Sequence, residues 1–240
     1  MPRLARAADR FVAHMDMLGM SELTLKDPER AFDAVSNLSD AKDDILRLTI
    51  EIVSNGQLIR DQIEHVVFSD TVVLVTRGDT RADIYAIVLC MEFFFRALTY
   101  GVPVRVGVAH GRFLDDPARN LFAGPPLVNA YRLGEGAQWL GIVLDPVTAE
   151  HARAIPLQSD RGRPIITDYD VPVKSGGRET RAVADWVEPH RNHFKVPLPI
   201  AGSELYRAFE GLMGPFADLP AEAKLKYEHT SEFINLPQSV

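Results

Sequence analysis

Cysteine is almost absent from this sequence, because its 240 residues include only one, Cys90. A single cysteine excludes a framework of disulfide bonds and a zinc site built from cysteine thiolates. Cys90 lies in an apolar stretch with helical spacing, where a small buried side chain is expected. Its expected role is therefore packing.

Long apolar runs and an excess of positive charge are also missing. The longest apolar stretch, residues 84–95, is interrupted by Glu92 and is too short to span a bilayer. The N-terminal residues lack the long apolar region of a secretory signal peptide. The formal net charge of −7 argues against partners that are nucleic acids or anionic membranes. With 46% hydrophobic residues, the sequence predicts a soluble, cytoplasmic globular protein that binds neither.

Two apolar, β-prone segments each carry a single carboxylate. Asp16 follows the apolar run from Phe11 and precedes Gly19, whereas Asp70 lies in a Ser-Asp-Thr link typical of a hairpin tip. A carboxylate in a buried strand is costly unless it is paired, protonated or bound to a cation. If the two strands are neighbours, the carboxylates converge, and such a pair suits Mg²⁺ or Mn²⁺. The alternative is that Asp16 caps the next turn and Asp70 forms an Asx-turn.

The hydrophobic periodicity predicts the order of strands and helices. A helix begins at Asp27 and Pro28 and runs to Asn55, with a polar stretch at 36–44 that leaves room for a break. A hairpin around Asp70 comes next, followed by a helix at 81–100 opened by 78–80, a strand at 104–113 and a loop at 115–122. A helix at 124–138, a strand at 142–145 and a short helix at 146–154 follow. The last predicted elements are two strands within 165–186 around a turn at 175–177, a connector at 189–199, and two short helices within 201–236. The order β-α-β-β-α-β is the ferredoxin-like pattern. We therefore predict an α+β fold with extra C-terminal strands and helices.

Four short motifs follow one another along roughly the first 145 residues. They are Asp16-Met17-Leu18-Gly19-Met20, Ser69-Asp70, Arg105-Val106-Gly107-Val108-Ala109-His110-Gly111, and Gly124 followed by Val128, Arg132 and Leu133. In these motifs the chain resembles the class III nucleotide cyclases. The resemblance implies a catalytic domain at residues 1–195, a C-terminal helical extension at 196–240, and a homodimer with active sites at the shared interface.

The same resemblance implies roles for particular residues. Asp16, Met17 and Asp70 would bind two divalent metal ions, Mn²⁺ or Mg²⁺, in each active site. The backbone from Met17 through Leu18 and Gly19 to Met20 would lie against the substrate's triphosphate. Arg132 would come from the other subunit and stabilise the transition state as a fixed cation. The implied reaction is attack of the ribose 3′-oxygen on the α-phosphate, with pyrophosphate leaving.

Several positions depart from the pattern of the purine cyclases. Those enzymes read adenine with a lysine and an aspartate at the positions that are Val66 and Leu121 here. The family's transition-state asparagine falls on Val128, although Asn129 lies three residues before Arg132 and shares much of its helical face. Either Asn129 serves after a one-residue shift, or that interaction is missing.

Further residues are candidates for contact with the substrate. Phe68 belongs to the predicted substrate-binding set, together with Val66, Leu121 and Val128. Arg105 is a candidate for contact with phosphate or base, and an arginine that extends to solvent is an equal alternative. Lys174 and Arg178 are candidates for the late basic residue that grips the triphosphate, although solvated turn charges explain them equally well.

One branch of the superfamily lacks the purine-reading residues, namely the pyrimidine cyclases of bacterial anti-phage defence, called Pycsar systems. The run Ala130-Tyr131-Arg132-Leu133 and the short chain look like that branch. This resemblance implies conversion of UTP to 3′,5′-cyclic UMP, a preference for Mn²⁺, and a separate effector that responds to the cyclic nucleotide. The alternatives are a cytidylate cyclase, an ATP or GTP cyclase with an unusual base pocket, and a degenerate homology domain that only dimerises or binds nucleotide.

Overall fold

The structure is a computed structural model of the 240-residue chain. It describes residues 6–48, 53–54, 57–58, 63–78, 85–116, 119, 121–154, 164–187 and 200–236. The predicted connector at 189–199 lies outside the described residues, as do positions 79–84 at the start of the predicted second long helix and positions 49–52 at the end of the first. Within the described ranges, no helix combines the length and the apolar character needed to cross a membrane.

An eight-stranded sheet is the centre of the fold, with the order β4-β5-β1-β6-β8-β10-β9 and with β7 paired to β6. The strands are β1 (Arg6–Met17), β4 (Ile63–Phe68), β5 (Thr71–Thr76), β6 (Val104–Asp116), β7 (Leu121–Ala123), β8 (Ile142–Leu144), β9 (Ile166–Pro172) and β10 (Arg178–Ala184), and a separate small pair comprises β2 (Val53–Ser54) and β3 (Gln57–Leu58). The helices are α1 (Met20–Lys26), α2 (Pro28–Leu48), α3 (Tyr85–Thr99), α4 (Pro125–Gly136), α5 (Pro146–Ala154), α6 (Gly202–Tyr206), α7 (Glu210–Met213) and α8 (Ala221–Ile234), with a 3₁₀ turn at Phe216–Asp218.

The order of the first four long strands confirms the predicted ferredoxin-like α+β fold. Strands β4, β5, β1 and β6 lie side by side, and each is antiparallel to its neighbour. Helices α1 and α2 connect β1 to this hairpin, and α3 connects the hairpin to β6. Beyond β6, helix α4 leads to the parallel strand β8, and the β9–β10 hairpin extends the sheet. The predicted C-terminal strands are therefore part of the same sheet.

The break that we allowed for in α2 is wrong, because the helix continues through its polar stretch. Its buried residues continue at helical spacing on both sides of that stretch, and they are Ala31, Ala34, Leu38, Ala41 and Ile45. The apolar stripe facing the core therefore outweighs the polar residues, which lie on the other side of the helix.

Three other predictions need correction. Helix α1, a short helix between the end of β1 and the start of α2, was not predicted. The predicted loop at 115–122 contains the end of β6 and the beginning of β7, which pair with one another. The C-terminal region holds three short or medium helices and a 3₁₀ turn instead of two helices. Short elements carry too few residues for a periodic pattern to reveal them.

The two faces of the sheet are covered differently. Phe11, Ala13 and Met15 of β1 belong to the main core, which includes residues of α2 and α3. On the opposite face, Val12 belongs to a smaller cluster with Val75 and Phe113, against which Leu127 of α4 packs. Alternation along β1 therefore places Asp16 on the face covered by α4.

Backbone contact fixes α4 to β6. A Cβ atom added to Gly107 would lie 2.0 Å from the carbonyl oxygen of Ala130 and 2.9 Å from the backbone nitrogen of Gly134. The glycine of the Arg-Val-Gly motif therefore has a packing role, because only a residue without a side chain allows this approach.

We expect Gly107→Ala to lower the free energy of unfolding by about 1–3 kcal/mol or more, because the new methyl group must push α4 away from the sheet. Urea unfolding measures this loss. The matched control is Gly211→Ala in α7, where an added Cβ meets nothing within 4 Å. Equal stability of the two variants would contradict the close contact between α4 and β6.

Candidate active site

The end of β1 brings the two predicted aspartates together. Asp16 is paired with Thr71 of β5 on one side and with Arg105 of β6 on the other. Asp70 lies in the turn just before β5, and its backbone carbonyl oxygen accepts a hydrogen bond of 3.1 Å from the Met17 N–H. Asp16 and Asp70 line one cavity of about 760 Å³. The strand that carries Asp16 is thus a neighbour of the hairpin that carries Asp70, as expected, and both side chains reach one cavity.

The turn after Asp16 is held in a fixed conformation. Gly19 has a φ of 82°, which glycine adopts without strain, and a Cβ atom there would lie 2.8 Å from the Met213 side chain. The Leu18 N–H donates a hydrogen bond of 2.9 Å to the Pro103 carbonyl oxygen. Met17, Leu18, Gly19 and Met20 all line the cavity, as expected of a segment that would contact the substrate.

Arg105 links the carboxylate of Asp16 to a second acidic residue. Its Nη2 and Nε atoms donate hydrogen bonds of 2.7 Å and 3.1 Å to Asp16 Oδ2. Its guanidinium also pairs with the Glu135 carboxylate, and Nη1 donates a 3.3 Å bond to the Glu135 carbonyl oxygen. Glu135 in turn pairs with Lys174. Because Arg105 is only 5% exposed, the alternative of an arginine extending to solvent does not hold.

The charge of Asp16 depends on cations. Burial raises the pKa of its carboxyl group, the Arg105 guanidinium opposes that rise, and the neighbouring charge of Asp70 adds to it. A partly buried carboxylate with an acidic neighbour is stable in its charged form only beside a positive charge. In this structure Arg105 provides that charge.

The donor atoms at this site fit Mg²⁺ or Mn²⁺. Two carboxylates, with the backbone of Met17 beside them, are hard oxygen ligands, and magnesium usually binds one or two carboxylates and completes its coordination with water and phosphate oxygens. Among the described residues there is no group of three or more His, Cys, Asp and Glu side chains suited to a metal ion.

A second set of predicted residues does not line this cavity. Phe68 is 80% exposed at the tip of the β4–β5 hairpin, and Leu121 and Val128 are about half exposed on β7 and α4. Asn129 and Arg132 are also exposed on α4, and Val66 is partly buried in β4. Within one chain, these residues and the aspartate pair therefore lie at separate sites.

Lys174 and Arg178, the two candidates for the late basic residue, make different contacts. Lys174 reaches the network around Asp16 through Glu135. Arg178 instead pairs with Glu232 and donates a hydrogen bond of 3.3 Å to the Asp170 carbonyl oxygen. Neither residue lines the cavity, but Lys174 is paired with Glu135, which does.

Sequence reasoning missed several residues of the site. Glu135 connects two basic residues there, and Tyr131 lines the cavity and packs edge-on against His14, with ring centroids 5.3 Å apart. The C-terminal helices contribute a whole wall, which includes Tyr206, Met213, Pro215, Asp218, Lys226 and Tyr227. Tyr131 stood within a motif and could have been flagged. The wall carries no local signal, because only tertiary packing brings it to Asp16.

The fold has counterparts among solved structures. The guanylyl cyclase Cya2 has a TM-score of 0.53 at 11% sequence identity, over 75% of this chain and 92% of that chain. The catalytic core of a rhodopsin-guanylyl cyclase with converted specificity, in complex with ATPalphaS, has a TM-score of 0.56 at 13% identity, over 76% of this chain and 98% of that chain. A bacterial light-regulated adenylyl cyclase has a TM-score of 0.52 at 12% identity, over 77% of this chain and 54% of that chain. No protein-family model matches the sequence, and no curated protein does.

These similarities show the fold, which is that of the catalytic domains of class III adenylyl and guanylyl cyclases. The identities of 11–13% carry no residue-by-residue inference by themselves. The chemistry of this chain has to be argued from its own side chains.

We expect Arg105→Met to lower the free energy of unfolding by about 1–3 kcal/mol, because Asp16 and Glu135 lose their shared cation. Urea unfolding without divalent metal measures the loss. Adding Asp16→Asn to Arg105→Met should recover part of it, because the amide needs no cation.

The matched control is Arg132→Met, which removes an exposed arginine that has no ion pair in the described part of the chain. Its stability should stay within about 0.5 kcal/mol of the natural protein. If Arg105→Met were equally neutral, the ion-pair network would have no structural role.

Proposed function

We propose that this protein is a metal-dependent pyrimidine nucleotide cyclase that converts UTP to 3′,5′-cyclic UMP and pyrophosphate. The observation that carries the proposal is the position of Asp16 and Asp70 on one cavity, in the fold of class III cyclase domains. A scaffold domain without catalysis has no need of two converging carboxylates, which are costly to hold together.

The residues around the cavity divide the work of the reaction. Asp16 and Asp70, with the Met17 backbone, would hold the two Mn²⁺ or Mg²⁺ ions that class III cyclases use. When bound, these ions lower the pKa of the ribose 3′-hydroxyl and neutralise charge that develops on the phosphates. The turn from Leu18 to Met20 would orient the triphosphate, and the fixed cations around it would stabilise the departing pyrophosphate.

Arg105 has a second task in this scheme. In the structure it satisfies Asp16 through two hydrogen bonds to the same oxygen, Oδ2. The other oxygen of that carboxylate, Oδ1, receives no bond from Arg105, so it can face a bound ion. Arg105 therefore holds the carboxylate in place and charged before the ion and substrate arrive.

Two copies of the chain would complete the site. Arg132 and Asn129, the residues proposed to stabilise the transition state, are exposed on α4 and lie away from the cavity of their own chain. Exposed apolar side chains occur on α4 and the adjoining β7, including Val128 and Leu121. A symmetric homodimer would cover them and bring the arginine of each copy to the aspartates of the other.

The choice of a pyrimidine rests on the apolar side chains at the base-reading positions. Val66 and Leu121 have no group that can donate or accept a hydrogen bond, so they cannot read a purine edge as the lysine and aspartate of purine cyclases do. Phe68 and Val128 add further apolar surface to the proposed base site. We place the product as a second messenger in bacterial anti-phage defence, read by a separate effector that responds to the cyclic nucleotide.

The direct test is to incubate the purified protein with each of the four ribonucleoside triphosphates and Mn²⁺ and to identify products by mass spectrometry. We expect cyclic UMP and pyrophosphate, and no product with Asp70→Asn or after removal of the metal with EDTA. Cyclic CMP would correct the base alone. A purine product would refute the argument from Val66 and Leu121, and no product at all would favour a domain that only binds nucleotide or dimerises.

The shared site is tested by mixing two inactive variants, Asp70→Asn and Arg132→Ala. Each mixed dimer contains one site with both natural residues, so an equal mixture should regain about one quarter of the natural activity. The activity of the mixture is compared with that of either variant alone. Failure to regain activity, with both variants folded and dimeric, would place Arg132 outside the partner's site.

A further inference from the structure

The C-terminal helices build one wall of the cavity that contains the aspartates. Tyr206 of α6 and Tyr227 of α8 line it and are themselves almost fully buried. Met213, at the end of α7, lies against Gly19 in the turn that follows Asp16. The C-terminal helices are thus in direct contact with the candidate metal-binding segment.

Helix α8 is held firmly against the rest of the domain. The Leu140 N–H donates a hydrogen bond of 2.8 Å to Thr230 Oγ1, and Gln138 Nε2 donates one of 3.1 Å to the Glu222 carbonyl oxygen. Phe233 packs edge-on against Trp139, with ring centroids 4.8 Å apart. A side chain on this helix therefore has a defined position relative to the sheet.

Lys226 of α8 lines the cavity together with Asp16, Asp70 and Arg105. It is partly buried, and within the described residues its ammonium group has neither a hydrogen-bond acceptor nor an ion-pair partner. Burial, followed by the positive charges of Arg105 and Lys174, lowers its pKa, whereas Glu222 and Asp16 raise it. Lys226 therefore lies near the positive charges of Arg105 and Lys174.

Six acidic residues line the cavity, namely Asp16, Glu22, Asp27, Asp70, Glu135 and Asp218, but none of those described is bonded to the Lys226 ammonium group. Asp16 and Glu135 are both engaged by Arg105, and Glu135 also holds Lys174. Lys226 is thus a partly desolvated cation that lies near two others, Arg105 and Lys174. With Asp16 and Asp70 engaged by metal ions, as in the proposed function, an anion in the cavity would stabilise it. Lys26 and Arg30 also line the cavity, but both are exposed to water and Arg30 is close to Asp27, at 3.7 Å.

We propose that Lys226 binds the phosphate chain of the substrate, so that the C-terminal helix supplies a cation to a polyphosphate site beside Asp16 and Asp70. This inference rests on the proposed function for the identity of the ligand. The ligand must contact a metal ion held by two carboxylates at one end and an ammonium group at the other. A polyphosphate carries anionic oxygens at both ends, whereas a single small anion does not.

The test uses isothermal titration calorimetry with inorganic tripolyphosphate and Mg²⁺, so that no turnover is required. We expect Lys226→Gln to weaken binding by about 10-fold to 100-fold, as for loss of a charge-assisted hydrogen bond. Lys226→Arg keeps the positive charge and should bind more tightly than Lys226→Gln, which separates loss of the cation from loss of the lysine side chain.

The matched control is Lys224→Gln, which removes the same charge from the same helix. Lys224 does not line the cavity, and its ammonium group donates to the Ala217 carbonyl oxygen at 2.9 Å. We expect little change in binding. Equal weakening by Lys224→Gln and Lys226→Gln would mean that the effect is one of long-range charge, and it would overturn the inference. Unchanged binding of tripolyphosphate to Lys226→Gln, or no binding to the natural protein, would overturn it as well.

Failure of this inference is distinguishable from failure of the proposed function. If the natural protein makes cyclic UMP and Lys226→Gln binds tripolyphosphate normally, the cyclase reaction stands and Lys226 is not a ligand. If tripolyphosphate binds through Lys226 but no triphosphate yields a cyclic product, the polyphosphate site stands and the reaction is wrong.

Discussion

The bond between Arg105 and Asp16 is the interaction on which the candidate site depends. Asp16 belongs to the strand that pairs along its entire length with β6, and Arg105 is its direct partner across that pair. The sheet register therefore sets the ion pair, without any loop having to find its place. A carboxylate that would otherwise be costly at the end of a central strand is held charged and oriented.

The remaining parts of the site are arranged around this pair. Glu135 on α4 forms an ion pair with the Arg105 guanidinium and a second one with Lys174, which lies in the turn between β9 and β10. The β4–β5 turn adds Asp70, and the C-terminal helices close the cavity. Four regions that are distant in sequence thus meet at the end of β1. Three of them contribute charged side chains, which are Glu135, Lys174 and Asp70.

The sequence supported the fold and the aspartate pair because both are encoded locally. Alternating and continuous apolar runs identify β1 and the hairpin. The order of elements, β-α-β-β-α-β, then leaves few ways to arrange the strands in a sheet. Even the glycine at position 107 was marked by its motif, although its packing reason became clear only from the contact with Ala130. The polar stretch in α2 led us to allow for a break that is absent. The buried face of this helix consists largely of alanines, which give a weaker helical periodicity than larger apolar residues do.

The wall containing Lys226 could not be predicted in this way. Nothing around Lys226 distinguishes it from Lys224, its neighbour on the same helix, since both are lysines in a polar, helical context. Their difference arises from the hydrogen bonds and aromatic contacts that orient α8 on the domain. Residues whose role depends on tertiary orientation need a structure before they can be recognised.

Helix α4 carries residues with two different roles in the proposed dimer. Glu135 contacts the charged network of its own chain, whereas Arg132, one turn earlier, is exposed and would be available to a second copy. Gly107 lets the backbones of α4 and β6 touch, and β6 also carries Arg105. In the proposed homodimer, each α4 would therefore link the two active sites, and a shift of β6 at one site would displace the arginine offered to the other.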